Sequence, residues 1–204
     1  MIESNIQNQK ELFLKSEFFM LSWDAAVQQR NREQKLFKDK ISDKKKNKFK
    51  YDLFEFTEKI LETYREKRVN SDAHHENLLQ VYNFIRKEKE IFADGSYAFN
   101  FSTAQKYFNM MCKYYWCAGF IKEPPELPID SINLSKIGIK YSWTKEIITI
   151  IDYKKKIEDF CSNECVLNES SLAVWELKNW ERRQFNGQKN EGELMDVIRC
   201  DKKE

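Results

Sequence analysis

Residues 101–116 read FSTAQKYFNMMCKYYW, and this stretch decides the fold class. Ser102, with Gln105 three residues later, is a capping-box signature that predicts a helix start. At about 100° per residue, one face of the helix is apolar. This face carries Ala104, Phe108, Met111 and Tyr115. The pattern predicts a central, nearly buried helix that ends at Gly119.

The opposite side of this helix carries a narrow polar stripe. Lys106, Asn109 and Lys113 lie within roughly 60° of one another, and we name this stripe the Lys/Asn ridge. Three interpretations are open: an anion-binding ridge that faces a cleft, a solvated helix face, or lysines paired with Asp130 or Glu176. The second is the ordinary outcome for a half-buried helix.

Working outward toward the N-terminus, residues 1–94 contain no Gly and no Pro, so few local signals interrupt helices. The spacing predicts a first helix over about residues 6–32. Its inward stripe is predicted at 4, 3, 4 spacing. This stripe carries Leu14, Phe18, Leu21 and Ala25, and Phe19 and Trp23 widen it.

Two further helices follow. The first begins at a Ser42 or Asp43 cap and has the clearest amphipathic spacing of the chain. Its apolar residues are Phe49, Leu53, Phe56, Ile60 and Tyr64. The second follows the Asn70-Ser71-Asp72 break and is expected to end near Asp94-Gly95. Its inward residues are Leu78, Val81, Tyr82 and Ile85.

Toward the C-terminus, all three prolines fall within residues 124–128 and predict a rigid crossover. Residues 137–151 alternate like strands, so a small β-hairpin is the alternative to a helix over about 144–161. A last helix over about 170–185 is capped by Ser170 or Ser171. We therefore predict an all-α, single-domain bundle of five or six helices over residues 1–185. The polar tail, residues 186–204, is expected to be partly disordered.

Composition narrows the class of protein further. Gly and Pro together make 8 of 204 residues (5 and 3), which argues against turn-dense all-β chains and glycine-rich phosphate loops. The net charge of +2 is too balanced to imply nucleic acid or an anionic membrane. The N-terminus lacks a signal-peptide pattern, no stretch is long enough to span a membrane, and the five cysteines are an odd number. These features predict a cytoplasmic protein with reduced thiols.

Metal and thiol chemistry find little support. His74 and His75 are adjacent, so their side chains point about 100° apart and do not chelate one metal as an i, i+4 pair would. We interpret them as ordinary helix-start residues. Cys161 and Cys165 lack the further ligands that zinc needs and are interpreted as small buried hydrophobes. No metal and no cofactor is therefore expected.

A lysine-rich segment offers a second kind of partner. Residues 35–50 hold eight lysines and two aspartates, interleaved with Phe37, Phe49 and Tyr51. Lysines and aromatics in alternation can follow a nucleic-acid backbone and stack on bases. The aspartates and the absence of arginine favour a solvated segment between helices. The residues that would carry nucleic-acid binding are Lys44, Lys45, Lys46 and Lys48.

The central helix also carries a resemblance. Ala104-Gln105-Lys106, Asn109-Met110, Lys113-Tyr114 and Trp116-Cys117, followed by Pro128-Ile129-Asp130 and later by Trp175-Glu176 and Trp180, resemble a pattern of uncharacterised bacterial helical proteins. The resemblance covers residues 99–182. It implies no activity, because none is established for those proteins. It draws attention to Gln105, Lys106, Asn109, Lys113 and Asp130.

Three functions remain open. The leading hypothesis is a non-enzymatic binding or assembly module that recognises an anionic or polar ligand through the Lys/Asn ridge, with aromatic walls excluding water. The candidate ligand-binding residues are Gln105, Lys106, Asn109, Lys113, Asp130, Trp175 and Glu176. The alternatives are nucleic-acid binding and an enzyme acting on a phosphate ester or nucleotide, with Asp130 or Glu176 as base or metal ligand. Surplus aromatics on the first helix suggest a homo-oligomer.

Overall fold

The structure is a computed structural model that describes residues 2–27, 36–94, 100–140, 142–163, 166 and 169–180. These residues fold into an all-α arrangement, as predicted. The helices are α1 (Ile2–Val27), α2 (Asp43–Leu61), α3 (Ser71–Lys87), α4 (Phe101–Cys117), α5 (Ser131–Lys136), α6 (Trp143–Glu146), α7 (Ile150–Cys161) and α8 (Leu172–Lys178). Short 3-10 turns follow α2 at Glu62–Tyr64 and α3 at Lys89–Ile91.

No sheet forms among the described residues, where a single isolated bridge joins Phe37 and Phe92. The predicted alternative of a β-hairpin over 137–151 is wrong, because α6 and the start of α7 occupy its second half. The predicted helix over 144–161 is shorter than expected, since a Thr149–Asp152 capping box starts α7 only at Ile150. No described helix has the length and apolar character needed to cross a membrane.

Helix α1 turns a different face inward from the predicted one. Leu14 and Leu21, predicted to point inward, are exposed. The buried side is instead set by Phe19 and Trp23, whose rings meet that of Tyr107 edge to face at 5.8 and 6.0 Å. The large aromatic rings bury more apolar area than leucines do, and they outweigh the 4, 3, 4 spacing. The end of the predicted helix, residues 28–32, lies outside the described residues.

Side-chain caps fix the ends of several helices as predicted. Ser42 accepts a hydrogen bond from Lys45 N at the start of α2, Asn70 accepts one from Ala73 N at α3, and Ser171 does the same for Val174 N at α8. Helix α3 ends at Lys87, earlier than expected. The predicted tail over 186–204 and the end of the last helix lie outside the described residues.

Helix α4 is the centre of the fold, as predicted. Thirteen of its seventeen residues are buried, and it packs against α1, α3, α6 and α7. The predicted capping box is wrong: the helix begins at Phe101, so Ser102 lies in its first turn and its buried hydroxyl has no hydrogen-bond partner. Gly119 follows the helix with a φ of 77°, a left-handed conformation that suits glycine.

Candidate functional site

The two lysines of the Lys/Asn ridge are buried and paired with carboxylates. Lys106 Nζ lies 3.2 Å from Asp130 Oδ2, and Lys113 Nζ lies 2.6 Å from Glu176 Oε2. All four side chains are at most 14% exposed. The structure thus favours the interpretation in which both lysines are neutralised inside the protein. A bound anion would have to compete with a carboxylate at each of them.

Two other predicted site residues perform structural roles. Gln105 makes two hydrogen bonds to the backbone of one residue beyond the prolines: its Nε2 donates to Ile129 O at 2.7 Å, and Ile129 N donates to its Oε1 at 3.0 Å. Trp175 packs edge to face against Phe160 at 5.6 Å. These contacts hold the proline crossover and α8 against the core.

Asn109 of α4 joins three helices through its amide. His74 of α3 donates from Nε2 to Asn109 Oδ1 at 2.9 Å, and Asn109 Nδ2 donates to the Tyr153 hydroxyl of α7 at 3.0 Å. Tyr153 then donates to Glu126 Oε2 at 2.7 Å. All these side chains are buried. Asn109 is therefore the centre of a buried polar chain rather than part of a ligand surface.

The chain continues beyond His74 with consistent donor directions. Asn77 Nδ2 donates to the Tyr64 hydroxyl at 3.1 Å, and that hydroxyl lies 2.8 Å from His74 Nδ1. Nε2 of His74 donates to a carbonyl oxygen, so in a neutral ring Nδ1 is the acceptor for the Tyr64 hydroxyl. Burial lowers the pKa of His74, which agrees with this tautomer. We name these residues the polar chain: Asn77, Tyr64, His74, Asn109, Tyr153 and Glu126.

Glu126, at the end of the polar chain, is an ionised carboxylate. Burial acts to raise its pKa, but His75, His74 and the Tyr153 hydroxyl together outweigh burial and leave the pKa below its ordinary value. His75 Nε2 is 2.7 Å from Glu126 Oε1, but the two atoms are not aligned as a hydrogen bond. His75 Nδ1 has no hydrogen-bond partner among the described residues. Glu126 therefore has unused hydrogen-bonding capacity.

A cleft of about 400 Å³ opens beside Glu126. It lies between the proline crossover, the start of α3, the end of α7 and the start of α8. Its polar lining includes Arg68, Glu123, Glu126, Cys161, Glu169 and Ser171. Arg68 pairs with Glu123 at 2.8 Å, and Glu169 pairs with Lys178 at 2.7 Å. Glu126 alone among these carboxylates has no Lys or Arg partner within the described chain.

The lysine-rich segment lies partly in the first turns of α2. Lys46 pairs with Asp43 at 2.9 Å and Lys48 with Asp52 at 2.6 Å, whereas Lys44 and Lys45 are exposed. The aromatic residues interleaved with these lysines do not form a common stacking surface. Phe49 is a core residue, and Phe37 stacks on Phe92.

Two interpretations of small motifs need correction. His74 and His75 are buried members of a polar cluster rather than ordinary helix-start residues, because α3 presses its first turn against α4 and Glu126. Cys161 is exposed rather than buried, since it ends α7 at the surface; Cys165 lies outside the described residues. Within the described chain, no group of three His, Cys, Asp or Glu side chains has the geometry to hold a metal.

Sequence reasoning did not single out Tyr64, Glu126 and Tyr153. Glu126 is an isolated carboxylate beside prolines, and the two tyrosines resemble ordinary core aromatics in a chain that has many of them. The sequence signal that could have pointed to this buried polar cluster was the pair of adjacent histidines that follows the Asn70 cap. No known protein family, curated protein or solved structure matches this chain.

Proposed function

We propose that this protein is a binding module that takes a small organic cation into the cleft beside Glu126. The observation that supports this proposal is Glu126 itself, a carboxylate whose side chain is 1% exposed, whose nearest basic group is the His75 imidazole at 2.7 Å, and that no Lys or Arg of the described chain neutralises. A buried charge is costly unless it is paired. An ammonium group in the cleft would supply that pairing.

The rest of the cleft suits the carbon chain of such a ligand. Its apolar lining comes from Val69, Pro124, Pro125, Ile157, Val166 and Leu172. The volume is in the range of ligand pockets, which are mostly apolar with a few placed polar groups. The two other carboxylates of the cleft, Glu123 and Glu169, add negative potential near its mouth, where they are 12% and 19% exposed.

The other two functions have less support from the geometry. An anion at the Lys/Asn ridge would have to displace Asp130 from Lys106 or Glu176 from Lys113. A catalytic or metal-binding Asp130 would have to leave its position as the N-cap of α5, where it accepts from Ile132 N and Asn133 N. Nucleic-acid binding through Lys44, Lys45, Lys46 and Lys48 stays a prediction, and a steep negative salt slope would be its signature.

The proposal can be tested with three matched probes by calorimetry and thermal shift. Putrescine carries two ammonium groups, butanediol is its neutral analogue, and succinate is the corresponding dianion. We expect binding of putrescine alone, weakened by salt. Glu126→Gln keeps the shape of the side chain but removes its charge, and we expect it to abolish the binding. Binding of butanediol as tightly as putrescine, or of succinate alone, would contradict the proposal.

A charge change at the mouth of the cleft avoids any effect on the core. Arg68 is 67% exposed, so Arg68→Glu removes no buried packing; it takes away the cation that pairs with Glu123 and makes the cleft more acidic. We expect it to tighten putrescine binding several-fold. Lys87→Glu is the matched control, because Lys87 is exposed at the end of α3, about 24 Å along the helix axis from Ser71 of the cleft. Equal effects of the two variants would mean that the cleft is not the site.

A further inference from the structure

Helix α1 is apolar on two opposite sides. One side is buried against the bundle through Phe19, Trp23 and Ala26. The other side points away from the bundle and is exposed. We name it the outer face of α1, formed by Ile6, Phe13, Leu14, Met20 and Leu21, each 38–61% exposed. At about 100° per residue, the middle of this outer face lies roughly 180° from the buried side.

The outer face gathers five exposed apolar side chains on one side of a single helix. Exposed apolar side chains grouped in this way mark an interaction site in soluble proteins. No described element packs over it, and the helix buries its inward side completely at Trp23. A partner for the outer face must be long, apolar and compatible with the charges that lie among these side chains.

The charges nearest the middle of α1 on this face are Lys10 and Glu17, and they identify the partner; Asp24, also exposed, lies on the same side seven residues beyond Glu17. Lys10 and Glu17 are both exposed, both lie in the middle of the outer face, and neither forms an ion pair within the described chain. They are seven residues apart, so about 10.5 Å separates them along the helix axis. This distance is too long for them to pair with each other. In an antiparallel pair of α1 helices centred between Phe13 and Leu14, the same separation places Lys10 of one copy level with the partner's Glu17.

We propose that two copies of this chain associate through their outer faces, with the α1 helices antiparallel. In this register Lys10 lies opposite the partner's Glu17, and Glu17 lies opposite the partner's Lys10. Phe13 and Leu14 lie at the two-fold axis, and Ile6 is level with the partner's Leu21. A parallel pair would instead bring lysine onto lysine and glutamate onto glutamate. Charge complementarity therefore selects both a second copy and its orientation.

The first test measures the mass of the protein in solution by sedimentation velocity, from micromolar to millimolar concentration. We expect a concentration-dependent dimer. Phe13→Glu should remove the dimer, and Ile151→Glu is the matched control, because Ile151 is 74% exposed on α7, outside the outer face. A wild-type protein that stays monomeric over the whole range would overturn the proposal, and would mean that the outer face serves another occupant.

The second test uses charge reversal at two exposed positions, which leaves the monomer fold unaffected. Lys10→Glu and Glu17→Lys should each weaken self-association by about tenfold or more, because each creates two like-charge contacts across the two-fold axis. A mixture of the two single variants should form a one-to-one heterodimer, since residues 10 and 17 of each chain then face opposite charges. The double variant should dimerise like the wild type. Failure of the mixture to associate, with a dimeric wild type, would overturn the antiparallel register.

Discussion

The two sides of α4 are both buried, but they are built in different ways. The side toward α1 and α2 is aromatic: Tyr107 meets the rings of Phe19 and Trp23, and Met111 is fully buried. Few hydrogen bonds form on this side of the helix; one is from the Tyr107 hydroxyl to Thr57 Oγ1 at 2.9 Å. Apolar contacts are non-directional, and neighbouring side chains of similar volume can replace one another.

The side toward the C-terminal half of the chain is polar and directional. Asn109 bonds to His74 and Tyr153, Gln105 to the Ile129 peptide, and Lys113 to Glu176. Each of these contacts needs a specific partner in a suitable direction. A buried donor or acceptor that loses its partner costs free energy. We infer that the aromatic side supplies most of the burial, whereas the polar side fixes how α7, α8 and the proline crossover dock.

The largest expected effect comes from Asn109→Leu. This change leaves both the His74 Nε2–H and the Tyr153 hydroxyl without their amide partner in a dry environment. At about 1–3 kcal/mol for each orphaned group, we expect the free energy of unfolding to fall by about 2–6 kcal/mol. Met111→Leu is the control on the other side of the helix and should cost less than about 1.5 kcal/mol. Urea denaturation measures both, and equal losses would remove the distinction between the two sides.

The next effect concerns the buried ion pair. Lys113→Met leaves the Glu176 carboxylate buried without its cation, and we expect a loss of about 3 kcal/mol in the free energy of unfolding. The double variant Lys113→Met with Glu176→Leu should recover most of this loss, because neither charge remains. The same substitution at an exposed pair, Lys48→Met opposite Asp52, should change stability by less than about 0.5 kcal/mol. A double variant as unstable as the single one would show that the pair itself is stabilising.

The comparison also explains what the sequence could and could not predict. The burial of α4 and the Ser42, Asn70 and Ser171 caps follow from local spacing. The pairing of ridge lysines with Asp130 or Glu176 is one of three interpretations that the sequence leaves open, and local spacing alone could not select it over a solvated face. The polar chain does not follow from local spacing, since His74, Glu126 and Tyr153 are far apart in sequence and no local pattern relates them. They meet only because α3, α7 and the crossover all pack on α4.

Helix α1 shows the same limit for apolar residues. Periodicity identified the helix, but a helix with two apolar sides satisfies the amphipathic pattern in more than one rotation. Leu14 and Leu21 fit the spacing and still lie outside, because the large rings of Phe19 and Trp23 determine the rotation that buries most surface against α4. The outer face is the consequence, and the charges of Lys10 and Glu17 among its exposed apolar side chains are what suggest a second copy.

The smallest effect is a difference in pH dependence, and it tests whether the polar chain is built around a neutral histidine. Burial lowers the pKa of His74 below its ordinary value of 6.5, which the unfolded chain restores. Below that pH the unfolded state therefore binds more protons than the folded state, and stability falls as the pH falls. For one proton we expect a loss of up to about 1.4 kcal/mol between about pH 7.5 and about pH 5.5.

His74→Gln isolates this contribution, because the amide can donate a hydrogen bond but does not titrate. The variant should be less stable than the wild type at neutral pH, yet it should lose less stability on acidification over the same interval. Glu126 affects neither curve there, since its pKa lies below its ordinary value of 4.5 and its stabilising charge is lost only in stronger acid. Urea midpoints at both pH values give the comparison. Parallel pH dependences for the two proteins would mean that His74 takes up a proton in the folded state, and the donor directions along the polar chain would then have to reverse at that residue.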